Sequence, residues 1–372
     1  MRRTILLALS VSACGPESVT AQGGVQRSEL HDFRIDTVVT GLAHPWGLAI
    51  LPDGALLVTE RGGQLRMVVD GRLVPEPVQG TPEVAARGQG GLLDVALHPQ
   101  FADNRWVYLS YAKPGPEGVT TAVSRGRLDG MRLTDVQEIF EARAWRSGGP
   151  HFGSRLVFDR AGYLYVTVGD RGAMQEAQNR GNHQGTILRL HDDGRVPDDN
   201  PFVGQAGVLP EIFSYGHRNP QGLALHPETG ELWSTEHGAR GGDELNHVRA
   251  GRNYGWPVIT HGINYNGQPI GEGTSKPGME QPVHYWVPSI ATSGTTIYAG
   301  DRFPRWRGSI LVGGLTGQQL VRISVDGTRE TGSEVLFRGM GRVRDVRTGP
   351  DGFIYVLIDA PAAPLLRLEP AR

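Results

Sequence analysis

One hairpin is written six times along the chain, and that repetition narrows the fold more than anything else in the sequence. Each copy is an apolar strand, a turn built on Asp-Gly or an equivalent, and a second strand rich in Leu, Val and Tyr. The copies are "PWGLAILPDGALLVTER" from Pro45, "GLLDVALHPQFADNRWVYLSYA" from Gly91 and "SRLVFDRAGYLYVTVGDRG" from Ser154. They continue with "PQGLALHPETGELWSTEHG" from Pro220, "ATSGTTIYAGDRFPRWRGSILVGGL" from Ala291 and "VRDVRTGPDGFIYVLID" from Val343. Glycine or Asp-Gly stands where a tight reversal needs positive φ. The intervals are irregular, on the order of 45 to 75 residues, as repeated hairpins with variable loops require.

One hairpin cannot bury both of its faces, so repeated hairpins stack or close radially. Units of four-stranded size fit the blades of a propeller, whose closed ring removes exposed sheet edges. The expectation is an all-β, six-bladed β-propeller occupying residues 31–372 as one domain. A large β-sandwich fits the period less well. "QLRMVVDGRL" and "TAVSRGRL" read as outer strands, and "FRIDTVV" is expected to latch the ring beside "LLRLEP". The 53 glycines and 25 prolines suit short strands joined by tight turns.

The formal net charge of −2 shows no basic excess, so nucleic acid is not an expected partner. Lys113 and Lys276 are the only lysines, which leaves arginine, a planar fork for carboxylates, as nearly all of the positive charge. Residues 1–30 read as an export signal and flexible linker. "MRRTILLALSVSACG" has a basic start, a short apolar core and small residues before Cys14, the single cysteine. "VSAC" has the form of a bacterial lipobox that would acylate Cys14; ordinary cleavage after Ala21 is the alternative. Either way no free thiol is expected in the mature protein. A single acyl chain tethers weakly, and no later segment is long and apolar enough to span a bilayer. An exported, periplasmic protein is expected, touching a membrane only through such an anchor.

In a propeller, the loops entering the innermost strands gather around the axis at one end, so the segments before each hairpin are the place to seek chemistry. They are "RGQGG" (Arg87 to Gly91), "GGPHFGSR" (Gly148 to Arg155), "YGHRNPQG" (Tyr215 to Gly222), "EHGARGGDELN" (Glu236 to Asn246), "PSIATSG" (Pro288 to Gly294) and "GRVRDV" (Gly341 to Val346). Strand alternation places Arg342 and Arg344 on one face. Together these segments suit an anionic polycarboxylate with a base beside it. The blander readings are a turn histidine for His151, a strand-end turn for Asp170 and a solvated strand face for the two arginines.

"GQGGLLDVALHP", "GGPHFGSRLVFD", "YGHRNPQGLA", "GGDELNHVRAGRNYGWP" and "GRVRDVRTGPDG" resemble, in order, the soluble quinoprotein sugar dehydrogenases, most closely their aldose sugar dehydrogenase branch. The likeness runs from about Thr40 to Leu368. It implies a six-bladed propeller that binds pyrroloquinoline quinone (PQQ) and calcium, oxidises aldose sugars at the anomeric carbon and passes electrons to an acceptor the sequence does not identify. By the same resemblance His151 is the base that takes the anomeric proton and also touches the cofactor, and Asp170 orients it. Gln89, Arg218 and Asn219 fall on cofactor contacts, with Arg218 beside the quinone oxygens where charge grows. Arg342 and Arg344 would pair with the PQQ carboxylates, and Ser289 would add a hydroxyl. The carbonyls of Gly238 and Ala239 would share a calcium ion with the quinone, and a second calcium maps to Glu244 and Tyr254. The loop "DDGRVPDDNPF" lacks EF-hand spacing and reads as a turn-rich loop.

One departure stands out. Where the family commonly has a lysine near the cofactor, "GGLTGQQL" places Thr316. A neutral hydroxyl cannot replace an ammonium, and losing a desolvated pair of that kind costs about 1.5–3 kcal/mol. Weaker PQQ binding, or compensation by Arg322 or another cation, is expected. Two other functions compete with the dehydrogenase: a non-catalytic propeller that binds a glycan or protein, and a calcium-dependent lactonase-type hydrolase.

Overall fold

The computed structural model describes residues 24–371, so Cys14 and the export signal lie outside the described residues. Among those residues the strands form six four-stranded antiparallel sheets arranged as the blades of a propeller. The innermost strands are Pro45–Ile50, Leu92–Leu97, Leu156–Phe158, Pro220–Leu225, Thr292–Ile297 and Val343–Thr348. Each opens one of the six repeated hairpins.

Ring closure is a strand exchange between the two ends of the described chain. Phe33–Leu42 runs antiparallel to Ala363–Pro370, with Phe33 opposite Pro370 and Ile35 opposite Leu368. It becomes the outermost strand of the sixth sheet, as expected of "FRIDTVV". Second strands such as Leu164–Val168 and Ile354–Ile358 are buried at every position because neighbouring blades cover both faces. Outer strands such as Arg329–Arg338 meet solvent and alternate. Apolar cores fill the seams between blades; one packs Phe33, Phe303, Trp306, Val356 and Leu366 together.

The axis is closed by charge. Arg155 lies 3.1 Å from both Asp94 and Asp345, and Arg347 lies 2.9 Å from Asp94 and 3.0 Å from Asp345. Two arginines against two aspartates leave no net charge uncompensated in this buried quartet. Gly47 leaves the space for it, since a Cβ there would strike the Asp94 carboxylate. The antiparallel register then sets the site: Leu156 pairs with Val166, so the loop before the first strand and the loop after the second emerge at one end.

Candidate active site

His151 sits on the loop entering blade three, in the left-handed region at φ 54°. A non-glycine residue there stores strain that its neighbours must hold in place. Its backbone N–H donates to Gln89 Oε1 at 2.8 Å. Its Nδ1 lies 2.6 Å from Asp170 Oδ1. Asp170 is fully buried, and its two oxygens also accept from Gly172 N at 2.7 Å and Trp256 Nε1 at 2.8 Å. Burial opposes its charge, but the bond and charge of His151, the Gly172 N–H and the cation of Arg218 outweigh it and hold the carboxyl below its usual range. An ionised carboxylate only accepts, so Nδ1 carries the proton and Nε2 is the free basic atom. Gly169 permits the approach: a Cβ there would run into the His151 carbonyl and the Asn219 amide oxygen.

The next residue, Arg171, was not singled out in the sequence. It is buried, with its guanidinium 3.5 Å from the centre of the Phe152 ring. It donates to the carbonyls of Gly148 at 2.9 Å and Val119 at 3.2 Å, and to that of Pro150. The histidine loop is thus held at Gly148, Pro150 and Phe152, on both sides of His151. Burial pulls the Arg171 pKa down to about 10 against the opposing charge of Asp170. The only sequence signal was an arginine inside the turn "GDRG".

From blade four, Asn219 Oδ1 accepts the Gly153 N–H at 3.0 Å. Gln221 links the same glycine to the arginine pair, donating to Gly153 O at 3.1 Å and accepting from Arg344 at 3.2 Å. Arg218 donates to the His237 carbonyl at 3.4 Å, and its guanidinium carbon lies 5.2 Å from the Trp256 ring centre. Arg342 and Arg344 do converge, but on a residue the sequence reading overlooked: Asp359 lies 3.9 Å from the first and 2.9 Å from the second. Burial opposes that carboxylate's charge, yet Arg344, His44 and Arg61 pull its pKa down to about 2.

Two joined cavities open at this end. One, of about 260 Å³, is lined by Trp46, Arg61, Gln89, Arg342, Arg344 and Asp359. The other, of about 560 Å³, is lined by Gly238, Ala239, Arg240 and Ser289 among others. His237, Ala291 and Thr316 border both. Burial, then the charges of Arg218, His151 and Arg344, hold the His237 pKa well below its usual value, so its ring is neutral.

The Gly238–Ala239 turn is organised by Asp243, which accepts from Gly238 N at 2.9 Å, Ile290 N at 2.9 Å and the Ser289 hydroxyl at 2.8 Å. The Ser289 hydroxyl is therefore committed to the turn. Glu244 shares the Asn246 amide with Glu236, at 3.1 and 3.0 Å, and burial beside Glu236 and Asp243 pushes its pKa up. The Tyr254 hydroxyl turns to backbone, donating to His247 O at 2.7 Å and accepting from Arg249 N at 2.8 Å. Glu244 and Tyr254 share no hydrogen bond. Arg322 does not compensate for Thr316: it is spent on Glu334 and Ser324 of blade five, both at 2.6 Å, and on Glu29 of the N-terminal segment at 3.3 Å. The cations lining the cavity with Thr316 are Arg61, Arg342 and Arg344.

Residues 42–367 match the family profile of glucose/sorbosone dehydrogenases. The chain belongs to the glucose/sorbosone dehydrogenase family. Within it, the aldose sugar dehydrogenase YliI of Escherichia coli is 46% identical over 344 residues, covering 90% of this chain and 92% of that protein. The apo form of the soluble aldose sugar dehydrogenase from Escherichia coli superposes with a TM-score of 0.87 at 45% identity, over 91% of this chain and 100% of the other. The PQQ-bound form of an aldose sugar dehydrogenase from Streptomyces coelicolor gives 0.77 at 30% identity, over 91% and 98%. Membership of the glucose/sorbosone dehydrogenase family makes this propeller a sugar oxidoreductase, and the residues at its axial end are the ones to test for that chemistry.

Four polar atoms around the cavities are buried without a partner: Arg218 Nε, Asn219 Nδ2, His237 Nε2 and Arg344 Nε. Arg61, Arg342 and Arg344 line the smaller cavity with a single carboxylate, Asp359. The unpaired N–H donors of Arg218, Asn219 and Arg344 and the surplus positive charge fit a group rich in carboxylates and carbonyls.

Proposed function

We propose that the protein oxidises aldose sugars at the anomeric carbon to lactones, using PQQ and calcium. The observation that carries this reading is the His151–Asp170 pair, 2.6 Å apart, beside a positively charged cavity. Arg342 and Arg344 would hold the PQQ carboxylates, Gln89 and Asn219 its edges, and Arg218 the side where negative charge grows. Ser289 would act on the cofactor through the turn it braces. Bound there, PQQ supplies an acceptor for the hydride that leaves the anomeric carbon.

His151 Nε2 takes the proton of the anomeric hydroxyl as that hydride departs, so the sugar loses a proton and a hydride and becomes a lactone. Asp170 keeps the proton on Nδ1 and offsets the charge of the imidazolium that forms. Arg218, fixed by its backbone bond of 2.7 Å to Glu236, supplies a cation that needs no reorganisation. Calcium would take the carbonyl oxygens of Gly238 and Ala239; backbone oxygens suit a hard cation. A second calcium would relieve the buried carboxylate cluster at Glu244, near Tyr254. We place the protein in the periplasm, anchored through an acylated Cys14 and delivering electrons to an acceptor still to be found.

The test is reconstitution of the purified protein with PQQ and calcium, followed by dye reduction with a panel of aldoses. Retained PQQ absorbance after gel filtration and sugar-dependent reduction are expected. Loss of PQQ on gel filtration together with no sugar-dependent reduction would sink the reading.

A further inference from the structure

The loop entering blade one, "GLAHPWG", repeats the geometry of the loop that carries His151. Its His44 also stands in the left-handed region, at φ 48° against 54° for His151. Its Nδ1 also meets a carboxylate at the end of a second strand: Asp359, which follows Ile354–Ile358, at 2.9 Å. The two pairs differ in where they reach. Asp170 belongs to the blade that His151 enters, whereas Asp359 belongs to blade six, so the second pair bridges two blades. Backbone fixes the loop: His44 N donates to Ala360 O at 2.8 Å, and Arg61 N donates to His44 O at 3.1 Å. Those bonds hold a conformation that a non-glycine residue adopts at a cost.

The two oxygens of Asp359 face different partners. Oδ1 meets His44, whose side chain is 41% exposed. Oδ2 accepts from Arg344 at 2.9 Å and lies 3.9 Å from Arg342. Arg344 continues to Gln221 at 3.2 Å, and Gln221 to the carbonyl of Gly153 at 3.1 Å, two residues from His151. Asp359 titrates at about 2, and an ionised carboxylate only accepts, so Nδ1 carries the proton of the His44 contact. Nε2 is left as the atom that can gain one. The charged groups facing the pair include Arg61, Arg342 and Arg344, which stay cationic. On the blade-one side Glu60 accepts Ala43 N at 2.8 Å and faces Arg66 at 3.5 Å.

We propose that His44 is a positioning residue for the cofactor, acting through Asp359: a proton on its Nε2 offsets the carboxylate and leaves Arg342 and Arg344 to the carboxylates of the ligand. This rests on the PQQ binding proposed above. With a neutral ring, Asp359 draws on the arginines and repels an incoming carboxylate. With a charged ring, its charge is shared between His44 and Arg344, and the site gains one positive charge. Histidine is the side chain that changes charge between about pH 8 and pH 5. Proton uptake at His44 favours the ligand-bound protein, so by linkage affinity for an anion rises as pH falls through the titration of the ring. His151 and His237 also face the site, but both are kept in a His44 variant, so the difference from the parent isolates His44.

The test measures PQQ affinity by fluorescence titration at fixed calcium, from about pH 8.5 to about pH 6, in the parent, His44→Asn and His44→Lys. Asparagine tolerates the left-handed region and offers an amide N–H in place of Nδ1–H without a charge, whereas lysine is charged throughout that range. Trimesate, a flat tricarboxylate that stays ionised, is titrated by calorimetry into the calcium-free protein as a second probe. For both probes the rise in parent affinity toward low pH is expected to be about fivefold greater than that in His44→Asn. His44→Lys should follow the slope of His44→Asn from a higher affinity. Equal pH slopes in the parent and His44→Asn overturn the proposal even if the variant binds more weakly, since a structural brace acts alike at every pH. If thermal unfolding shows that His44→Asn does not fold, the slope of His44→Lys against that of the parent decides the point. If the parent binds trimesate but retains no PQQ, the cofactor reading fails, and the trimesate comparison alone decides the role of His44. A parent that binds neither probe overturns both.

Discussion

His151 Nδ1 and Asp170 Oδ1 are 2.6 Å apart, and the other carboxylate oxygen is held by Trp256 Nε1 at 2.8 Å. The carboxylate is thus fixed from two sides and fixes the imidazole in turn. Asp170→Asn offers an amide where the ring needs an acceptor and removes the charge that balances an imidazolium. Its kcat is expected to fall at least ~100-fold with KM nearly unchanged, and His151→Ala should fall at least as far while still binding PQQ. Steady-state dye reduction with a PQQ titration checks both. Full activity in either variant removes that residue from the mechanism.

Arg171 acts on the same histidine without touching substrate. Its removal leaves the carbonyls of Gly148 and Pro150 without their donor, takes one of two donors from Val119, and frees a loop that holds His151 at positive φ. Arg171→Met is expected to lose about 2–4 kcal/mol of stability and at least ~10-fold in kcat. Arg171→Lys should recover part of the stability, because it keeps the charge over Phe152, but less of the kcat, because an ammonium cannot reproduce the planar fork. Chemical denaturation and kcat measured on the same preparations separate the two. Equal recovery of both would reduce Arg171 to a purely structural part.

The six blades were legible because each hairpin carries its own turn signal and its own apolar strands, and the latch because "FRIDTVV" and "LLRLEP" both lacked a local partner. The candidate site was legible where a residue offers its own side chain from a loop entering a blade, as His151 and Arg218 do, or from the start of an innermost strand, as Arg344 does. Asp359 and Asp243 escaped because each works by long-range pairing, 15 and 46 residues from Arg344 and Ser289. Spacing along the chain carries no trace of such contacts. Arg322 was a mistaken choice for the same reason: it lies near Thr316 in sequence, but strand alternation and Glu334 take its side chain elsewhere.

Asp359 makes acid sensitivity measurable. Its carboxyl titrates at about 2 in the folded protein against 3.8 as its reference. A depressed carboxyl pKa favours the folded state wherever the group is ionised in both states. The contribution, about 2 kcal/mol, is complete above about pH 4 and is lost as pH falls through about 2. Asp359→Asn is expected to be less stable than the parent at pH 6, with the gap closing toward pH 2. Denaturant unfolding at a series of pH values checks this, and a gap that does not change with pH would contradict it.

Thr316 borders both cavities, with Arg61, Arg342 and Arg344 already facing one carboxylate in the smaller one. A fourth cation there has opposite consequences with and without a ligand. In the ligand-free protein, Thr316→Lys adds like charge beside three arginines, and its thermal stability is expected to fall. With PQQ the ammonium gains an anionic partner, and affinity should rise ~10- to 100-fold, matching about 1.5–3 kcal/mol for a charged hydrogen bond. Thermal unfolding of the ligand-free variant and a PQQ binding titration read the two effects separately. Weaker PQQ binding in the variant would show that the three arginines already satisfy the cofactor, and that threonine is the better residue beside them.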